Sequence, residues 1–286
     1  MHDLPMHDLL NHRSLIDDGR DSRLMTDGSL LELDGVSKRF GQVLVADRLS
    51  FAVSEGAAIG IVGPNGAGKT SLFGMIAGDL AVDSGDIRIH GSSVVKLDSA
   101  KRCRLGVART FQVPHPFVGL TVFENVLVAA QQGGGLRRTA AIAQTLAAIE
   151  ETGLGKHVNT AAGRLGLLSR KRLEVARALA TGPRLLLLDE VAGGLTDPEV
   201  AELVAIVRAV NSRGVAVVWI EHVVRALLST VDRLVCLAVG QLIADGEPRE
   251  VLARQQVKEL FLGTESTVAD VDRSTGVPSH QSVSHP

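Results

Sequence analysis

Eight residues constrain this chain more than any others: Gly63-Pro64-Asn65-Gly66-Ala67-Gly68-Lys69-Thr70, followed by Ser71. Their G-x-x-x-x-G-K-T spacing is that of a phosphate-binding loop. The flanks agree. Ala57-Ala58-Ile59-Gly60-Ile61-Val62 before the loop is an apolar run short enough for a buried strand, and Ser71-Leu72-Phe73-Gly74-Met75-Ile76-Ala77 after it has helical spacing. The glycines let backbone N–H groups close around an anion with no Cβ in the way. The helix that begins here points its positive dipole end at the same place. In this reading the segment from Gly63 to Ser71 forms the cradle, Lys69 contacts the outer phosphates, and the Thr70 hydroxyl binds Mg²⁺. A chance Gly-rich turn is the alternative; strand, complete motif and helix in the right order count against it.

A second signal lies at strand ends. Four apolar residues, Leu185 to Leu188, run into Asp189-Glu190. Carboxylates at the C-terminal end of a central strand lie where open α/β sheets bind ligands. Asp189 is placed to hold Mg²⁺ through water, and Glu190 to orient and deprotonate a water attacking a γ-phosphate. Acidic residues also begin ordinary loops, so the pair gains its weight from the phosphate loop. His222 follows Trp219-Ile220-Glu221 at another strand end, where it either senses the γ-phosphate or serves as a structural hydrogen-bonder. Gln112, in Arg109-Thr110-Phe111-Gln112, follows a fourth short strand and is placed to reach Mg²⁺ or the water.

Around these motifs the 286 residues read as one large or two small α/β domains. Strands are expected from Leu31-Glu32-Leu33, near Val43 to Val53, and at Asp86 to His90, the last antiparallel and half solvated. From about 113 to 180 the texture becomes helical, with helices over Thr121 to Ala130, Ala140 to Glu151 and Leu173 to Ala180. The core resumes at Arg184, with a helix over Pro198 to Asn211 and a strand over Val215 to Ile220. Both flanking strands are apolar on each face, as in a covered parallel sheet. Val231 to Leu237 and Gln241 to Ala244 complete the sheet, and a helix near Glu250 to Leu262 follows. The polar segments 1–28 and 264–286 are expected to be disordered. His2, His7 and His12 offer metal binding as the other reading of the first segment.

Composition mostly excludes. A net charge of −2 gives no general affinity for nucleic acid. Cys103 and Cys236 fit no metal or redox spacing, which suits a reducing compartment. No apolar run is long enough to span a membrane, and the start lacks a basic segment followed by an apolar one. The expectation is a protein in the cytosol or on the cytosolic side of a membrane.

Taken together and in this order, the phosphate loop, Gln112, the helical segment, Asp189-Glu190 and His222 resemble the ATPase subunit of ABC transporters. The resemblance implies a P-loop NTPase cassette over 29–263. Its parts are a RecA-like α/β core sheet, an antiparallel β subdomain and an α-helical subdomain inserted at about 113–180. It implies ATP and Mg²⁺ as cofactors, with Thr70, Gln112 and Asp189 at the metal and Lys69, Gln112, Glu190 and His222 in hydrolysis. Phe40, in Ser37-Lys38-Arg39-Phe40-Gly41, matches the aromatic on which the family stacks adenine; a core Phe beside a turn is the alternative. Implied partners are a second ATPase subunit, two transmembrane permease subunits and, through them, a solute-binding protein. The place implied is the cytoplasmic side of the inner membrane, as a peripheral subunit.

The signature departs from the family. Ala176-Arg177-Ala178-Leu179 matches the end of the helix that normally follows Leu-Ser-Gly-Gly-Gln. Counting back puts the signature at Leu165-Gly166-Leu167-Leu168-Ser169. Gly166 replaces the serine, and Leu167 and Leu168 replace the glycines. Gly193-Gly194-Leu195-Thr196 likewise stands where Ser-Ala-Leu-Asp is common. An asymmetric heterodimer is therefore expected, in which a partner's signature completes this chain's ATP site; a subfamily that tolerates variation here, with Gly166 and Ser169 still offering donors, is the alternative. Phe111-Gln112, Leu120 to Val126, Arg172 to Arg177, Asp232 to Val235, Gly246-Glu247-Pro248 and Leu262-Gly263 resemble the branched-chain amino acid importer branch. A lipid-exporting ATPase and a non-transport ABC ATPase are the competing readings.

Overall fold

The computed structural model describes residues 29–262. The segments expected to be disordered, 1–28 and 264–286, and the histidines in the first of them lie outside the described residues. Four strands, β1 (Ser29–Phe40), β2 (Val43–Ser54), β4 (Ser84–Ile89) and β5 (Ser92–Ser93), form an antiparallel sheet in the order β2-β1-β4-β5. Six more, β3 (Ala58–Val62), β6 (Val107–Arg109), β7 (Leu185–Asp189), β8 (Ala216–Ile220), β9 (Arg233–Ala238) and β10 (Gln241–Gly246), pair in the order β10-β9-β3-β8-β7-β6. The neighbours from β9 to β6 are parallel, and only the edge strand β10 runs antiparallel.

Every residue of β3, β7 and β8 is buried, as apolar runs require when both faces of a parallel sheet are covered. The alternation is visible in where they pack. Leu185 and Leu187 join one core, with Phe51 of the antiparallel sheet and Phe73 and Ile76 of α1 (Lys69–Ala77). Leu186, Leu188 and Trp219 join another, beneath α3 (Val122–Val128), α4 (Arg138–Glu151), α5 (Leu167–Ala180) and α6 (Asp197–Ser212). Trp219 is the chain's single tryptophan. It is fully buried, with its indole nitrogen unpartnered.

Strand register aligns the functional ends. Ile61 lies opposite Ile220, and Ile220 lies opposite Asp189 on its other side, so β3, β8 and β7 end nearly flush. The loops that leave these ends carry the motif residues.

Helix boundaries differ most from the sequence reading at α5 and at the last helix, and two short helices are added. α5 begins at Leu167 rather than Leu173, because Gly166 adopts an extended N-cap conformation and the chain is helical from there. The polar stretch Ser169-Arg170-Lys171-Arg172 hid those turns from an apolar-period reading. The last helix is two, α8 (Pro248–Ala253) and α9 (Gln255–Leu262), parted by extended backbone at Arg254. Two short helices, α2 (Ser99–Arg104) and α7 (Val224–Leu228), had no periodic signal to reveal them.

α2 supports the phosphate-loop helix. Buried Arg102 donates from Nη1 to the carbonyls of Met75 (2.5 Å) and Ile76 (3.0 Å), and from Nε to that of Leu97 (3.0 Å). A cation on the last carbonyls of α1 satisfies groups the helix leaves orphaned and complements its dipole. Arg102→Met is expected to lower stability by roughly 1–3 kcal/mol, with Arg102→Lys recovering part of the loss, as read from urea unfolding midpoints.

Candidate functional site

The loop between β3 and α1 requires glycine at two points by packing. At Gly63 (φ 152°) a Cβ would stand 2.1 Å from the Leu237 carbonyl oxygen, and at Gly68 (φ 96°) 2.0 Å from that of Val45. Both are positive-φ positions, so a side chain would meet backbone strain as well as a clash. Lys69 opens α1 and is 6% exposed. Its ammonium donates to the carbonyls of Gly63 (2.7 Å) and Pro64 (3.0 Å), which folds the loop back over the side chain. Burial pushes the Lys69 pKa down, and the nearby carboxylates of Glu190 and Asp189 oppose that shift. Thr70 stands exposed at the helix start.

Glu190 is where the predicted residues converge. Gln112 Nε2 donates to its Oε2 at 2.5 Å, and His222 Nε2 lies 2.8 Å from its Oε1. Its backbone N–H is held by the Ile220 carbonyl at 2.9 Å. The residue sits at φ 47°, a left-handed conformation sparsely populated by residues with a side chain. Three separate strand ends, those of β6, β7 and β8, therefore deliver Gln112, Glu190 and His222 to one point.

Asp189, the last residue of β7, is 1% exposed. Arg109 donates to its Oδ2 at 3.0 Å, and the Asp189 N–H donates to the Thr110 hydroxyl oxygen at 3.2 Å. Burial pushes the Asp189 carboxyl up and Arg109 pulls it back. Its other oxygen, Oδ1, is buried with no hydrogen-bond partner. A hard, unpartnered carboxylate oxygen beside the phosphate loop fits Mg²⁺, which takes oxygen ligands.

Phe40 ends β1 and is 51% exposed, with the Lys38 ammonium 5.5 Å from its ring centroid. A core role for this ring is thereby excluded. Leu165 is buried, whereas Leu167 is exposed at the first turn of α5, which has no side-chain cap. Leu167 also reaches the Gly193–Thr196 loop, since a Cβ at Gly194 would lie 3.4 Å from Leu167 Cδ2. Thr196 caps α6, and its hydroxyl donates to Glu199 Oε2 at 2.7 Å.

Three neighbours of the site escaped sequence reasoning: Arg109, Lys171 and Glu221. Arg109 directly precedes Thr110-Phe111-Gln112, and a cation at a strand end beside an acidic strand end was the available signal. Its guanidinium carbon also lies 5.1 Å from the centroid of Phe111 and 5.9 Å from that of Phe73. Glu221 adjoins His222 in sequence but is turned into the protein. Lys171 belongs to the helical turns that periodicity missed.

A phosphate loop joined to a parallel sheet, with acidic and histidine side chains at the adjoining strand tips, defines a nucleotide-binding P-loop ATPase cassette. The pattern of the ABC transporter family matches residues 46–193, and the chain belongs to that family. It is 35% identical over 249 residues to the high-affinity branched-chain amino acid transport ATP-binding protein BraF of Pseudomonas aeruginosa, a match covering 82% of this chain and 98% of that one. It is 33% identical, with the same coverage, to LivG of Salmonella typhimurium, named for the same transport. Among solved structures, it is similar to an ATP-binding cassette of an ABC transporter in its ADP conformation. There the TM-score is 0.75 and the identity 27%, over 82% of this chain and 99% of that one. A nucleotide-free cassette gives a TM-score of 0.75 at 26% identity, over 82% and 98%.

Cys236 of β9 lies against the loop, and burial pushes its thiol up to about 11 against the opposing effect of Lys69. Its thiolate is therefore scarce at mildly alkaline pH. Iodoacetamide at about pH 8 is expected to leave Cys236 unmodified in the native chain and to alkylate it after denaturation, as read by peptide mass spectrometry.

Proposed function

We propose that this chain is the ATP-hydrolysing subunit that powers an importer of branched-chain or related amino acids. The observation that carries the hydrolytic part is the convergence of Gln112 and His222 on the Glu190 carboxylate, beside the phosphate loop and Asp189. The named transport of BraF and LivG supports the solute class.

In this mechanism the Gly63–Ser71 segment and the α1 N-terminus hold the triphosphate, and Phe40 offers an exposed ring for the adenine. Lys69 turns from the loop carbonyls to the outer phosphate oxygens. Glu190 accepts the proton of the attacking water, with Gln112 and His222 fixing its two oxygens. Asp189 and Thr70 would hold Mg²⁺, with Gln112 in reach; the ion supplies neutralisation of developing phosphate charge. Arg109 keeps Asp189 oriented.

The apolar surface after Gln112 supports docking to membrane subunits. Val113 and Val118 are 61% and 65% exposed, and Phe111 and Phe117 join them. Apolar exposure of this kind marks a contact surface. Among the described residues no helix is long and apolar enough to cross a membrane. A peripheral subunit on the cytoplasmic face, bound to two permease subunits that receive cargo from a solute-binding protein, accounts for both features. The altered segment at the start of α5 supports a heterodimer, because Leu168 puts a branched side chain where backbone should approach the partner's γ-phosphate, with exposed Leu167 beside it.

Glu190→Gln is expected to retain ATP binding while turnover falls by about 10²-fold or more, measured as phosphate release beside nucleotide-binding isotherms. Undiminished release would remove Glu190 as base. Lys69→Ala is expected to weaken nucleotide binding itself by roughly tenfold or more. Light scattering of the Glu190→Gln chain with ATP is expected to show no homodimer; an ATP-driven homodimer of that variant, matched by a wild-type homodimer that hydrolyses ATP at both sites, would overturn the asymmetric assembly.

A further inference from the structure

Two buried charges of opposite sign grip the turn that carries Glu190, and neither takes part in the steps above. Lys171, in α5, is 5% exposed, and its ammonium donates to the Glu190 carbonyl at 3.3 Å. Glu221 is 2% exposed. Its Oε1 accepts the N–H of Ala192 at 2.5 Å, and its Oε2 accepts those of His222 at 3.1 Å and Val223 at 3.4 Å. The turn from Glu190 to Ala192 thus has a cation on its first carbonyl and an anion on its last N–H.

Burial disfavours the charged form of both groups. It pushes the Lys171 pKa down, opposed by Glu221 and Glu190, and the Glu221 pKa up, opposed by three backbone N–H groups and then Lys171. Buried charges of this kind stabilise poorly compared with apolar side chains of the same volume. What they supply here is defined geometry. Glu190 sits at φ 47°, a conformation that persists only where the surroundings over-determine it. Lys171 and Glu221 provide that determination from two directions, one from α5 and the other from the segment that bears His222.

We propose that Lys171 and Glu221 are positioning residues for hydrolysis. Together they fix the turn that aims the Glu190 carboxylate, and they tie its alignment to the placement of α5. The inference rests on Glu190 acting as the base. A shift of α5 relative to the sheet carries Lys171 away from the Glu190 carbonyl and loosens the base. Binding of the triphosphate, which uses α1 and its loop, is left intact. The Gly166–Ser169 end of the same helix, where a partner subunit is placed above, is in this way mechanically linked to the chain's own base.

The test uses the full chain with Lys171→Met, Lys171→Arg and Glu221→Gln, and Glu190→Gln as reference. Hydrogen exchange of peptides covering 190–193, the affinity for mant-ATP, and phosphate release are measured for each. Lys171→Met is expected to speed exchange at 190–193 by about tenfold and lower turnover by about tenfold or more, with mant-ATP affinity held within about twofold. Lys171→Arg, which keeps the donor, is expected to restore both. Glu221→Gln carries the same readouts should Lys171→Met fail to fold. Unchanged exchange at 190–193 overturns the inference, as does full turnover in a folded Lys171→Met chain. It also falls if turnover and mant-ATP affinity decline in proportion in both lysine variants, which would make the role merely structural. Wild-type turnover by Glu190→Gln would instead remove the base on which the inference rests, while the exchange data still judge the grip.

Discussion

Charge withdrawn from water must find opposite charge or backbone dipoles, and this structure concentrates that demand at the tips of its parallel strands. Lys69, Asp189, Lys171 and Glu221 are each at least nine-tenths buried. Lys69 rests on loop carbonyls, Asp189 on Arg109 and Glu221 on three N–H groups. An isolated ion at such depth would cost several kcal/mol. The surrounding backbone is therefore committed to holding these groups, and the flush ends of β3, β7 and β8 bring their partners within reach. One carboxylate oxygen of Asp189 is left without a partner, and that asymmetry makes the tip a site rather than a sealed core.

What could be read in the sequence was whatever local spacing encodes. The glycine-lysine-threonine loop, the Leu185–Leu188 run and the acidic pair behind it announce themselves within a few residues. So did β3, β7 and β8, because burial on both faces leaves an unbroken apolar run. The first turns of α5 were hidden by their polar side chains, which interrupt an apolar stripe: Arg170 donates to the Gly163 carbonyl, Lys171 to that of Glu190, and Arg172 pairs with Glu202. Arg109 and Glu221 were hidden for another reason. Arg109 meets Asp189 across 80 positions and Glu221 meets Ala192 across 29, and no periodicity carries such distances. Phe40 was ambiguous for a third reason: a ring beside a turn reads the same whether it faces inward or outward, and only the fold decided for outward.

The helical segment also acquires a physical account. α3, α4 and α5 share a core with Leu186, Leu188 and Trp219, so the segment is packed on the sheet rather than tethered to it. Asn125 secures its entry. The side chain is fully buried, accepts the Phe117 N–H at 2.8 Å and donates to the carbonyls of Phe117, Leu120 and Thr121. The exposed apolar residues from Phe111 to Val118 thus sit on a loop with both ends anchored, Thr110 at the sheet and Phe117 at α3. An anchored loop can transmit a push; a slack one cannot.

Trp219 lends the molecule a built-in optical gauge. The chain's only indole is sealed within β8, midway between the strand that launches the phosphate loop and the strand that ends in Asp189. Its near-ultraviolet emission reports the dryness of the sheet's centre, with no second tryptophan or any tyrosine to blur it. Events confined to the rim leave that colour alone, and a red shift marks the moment water enters between those two strands.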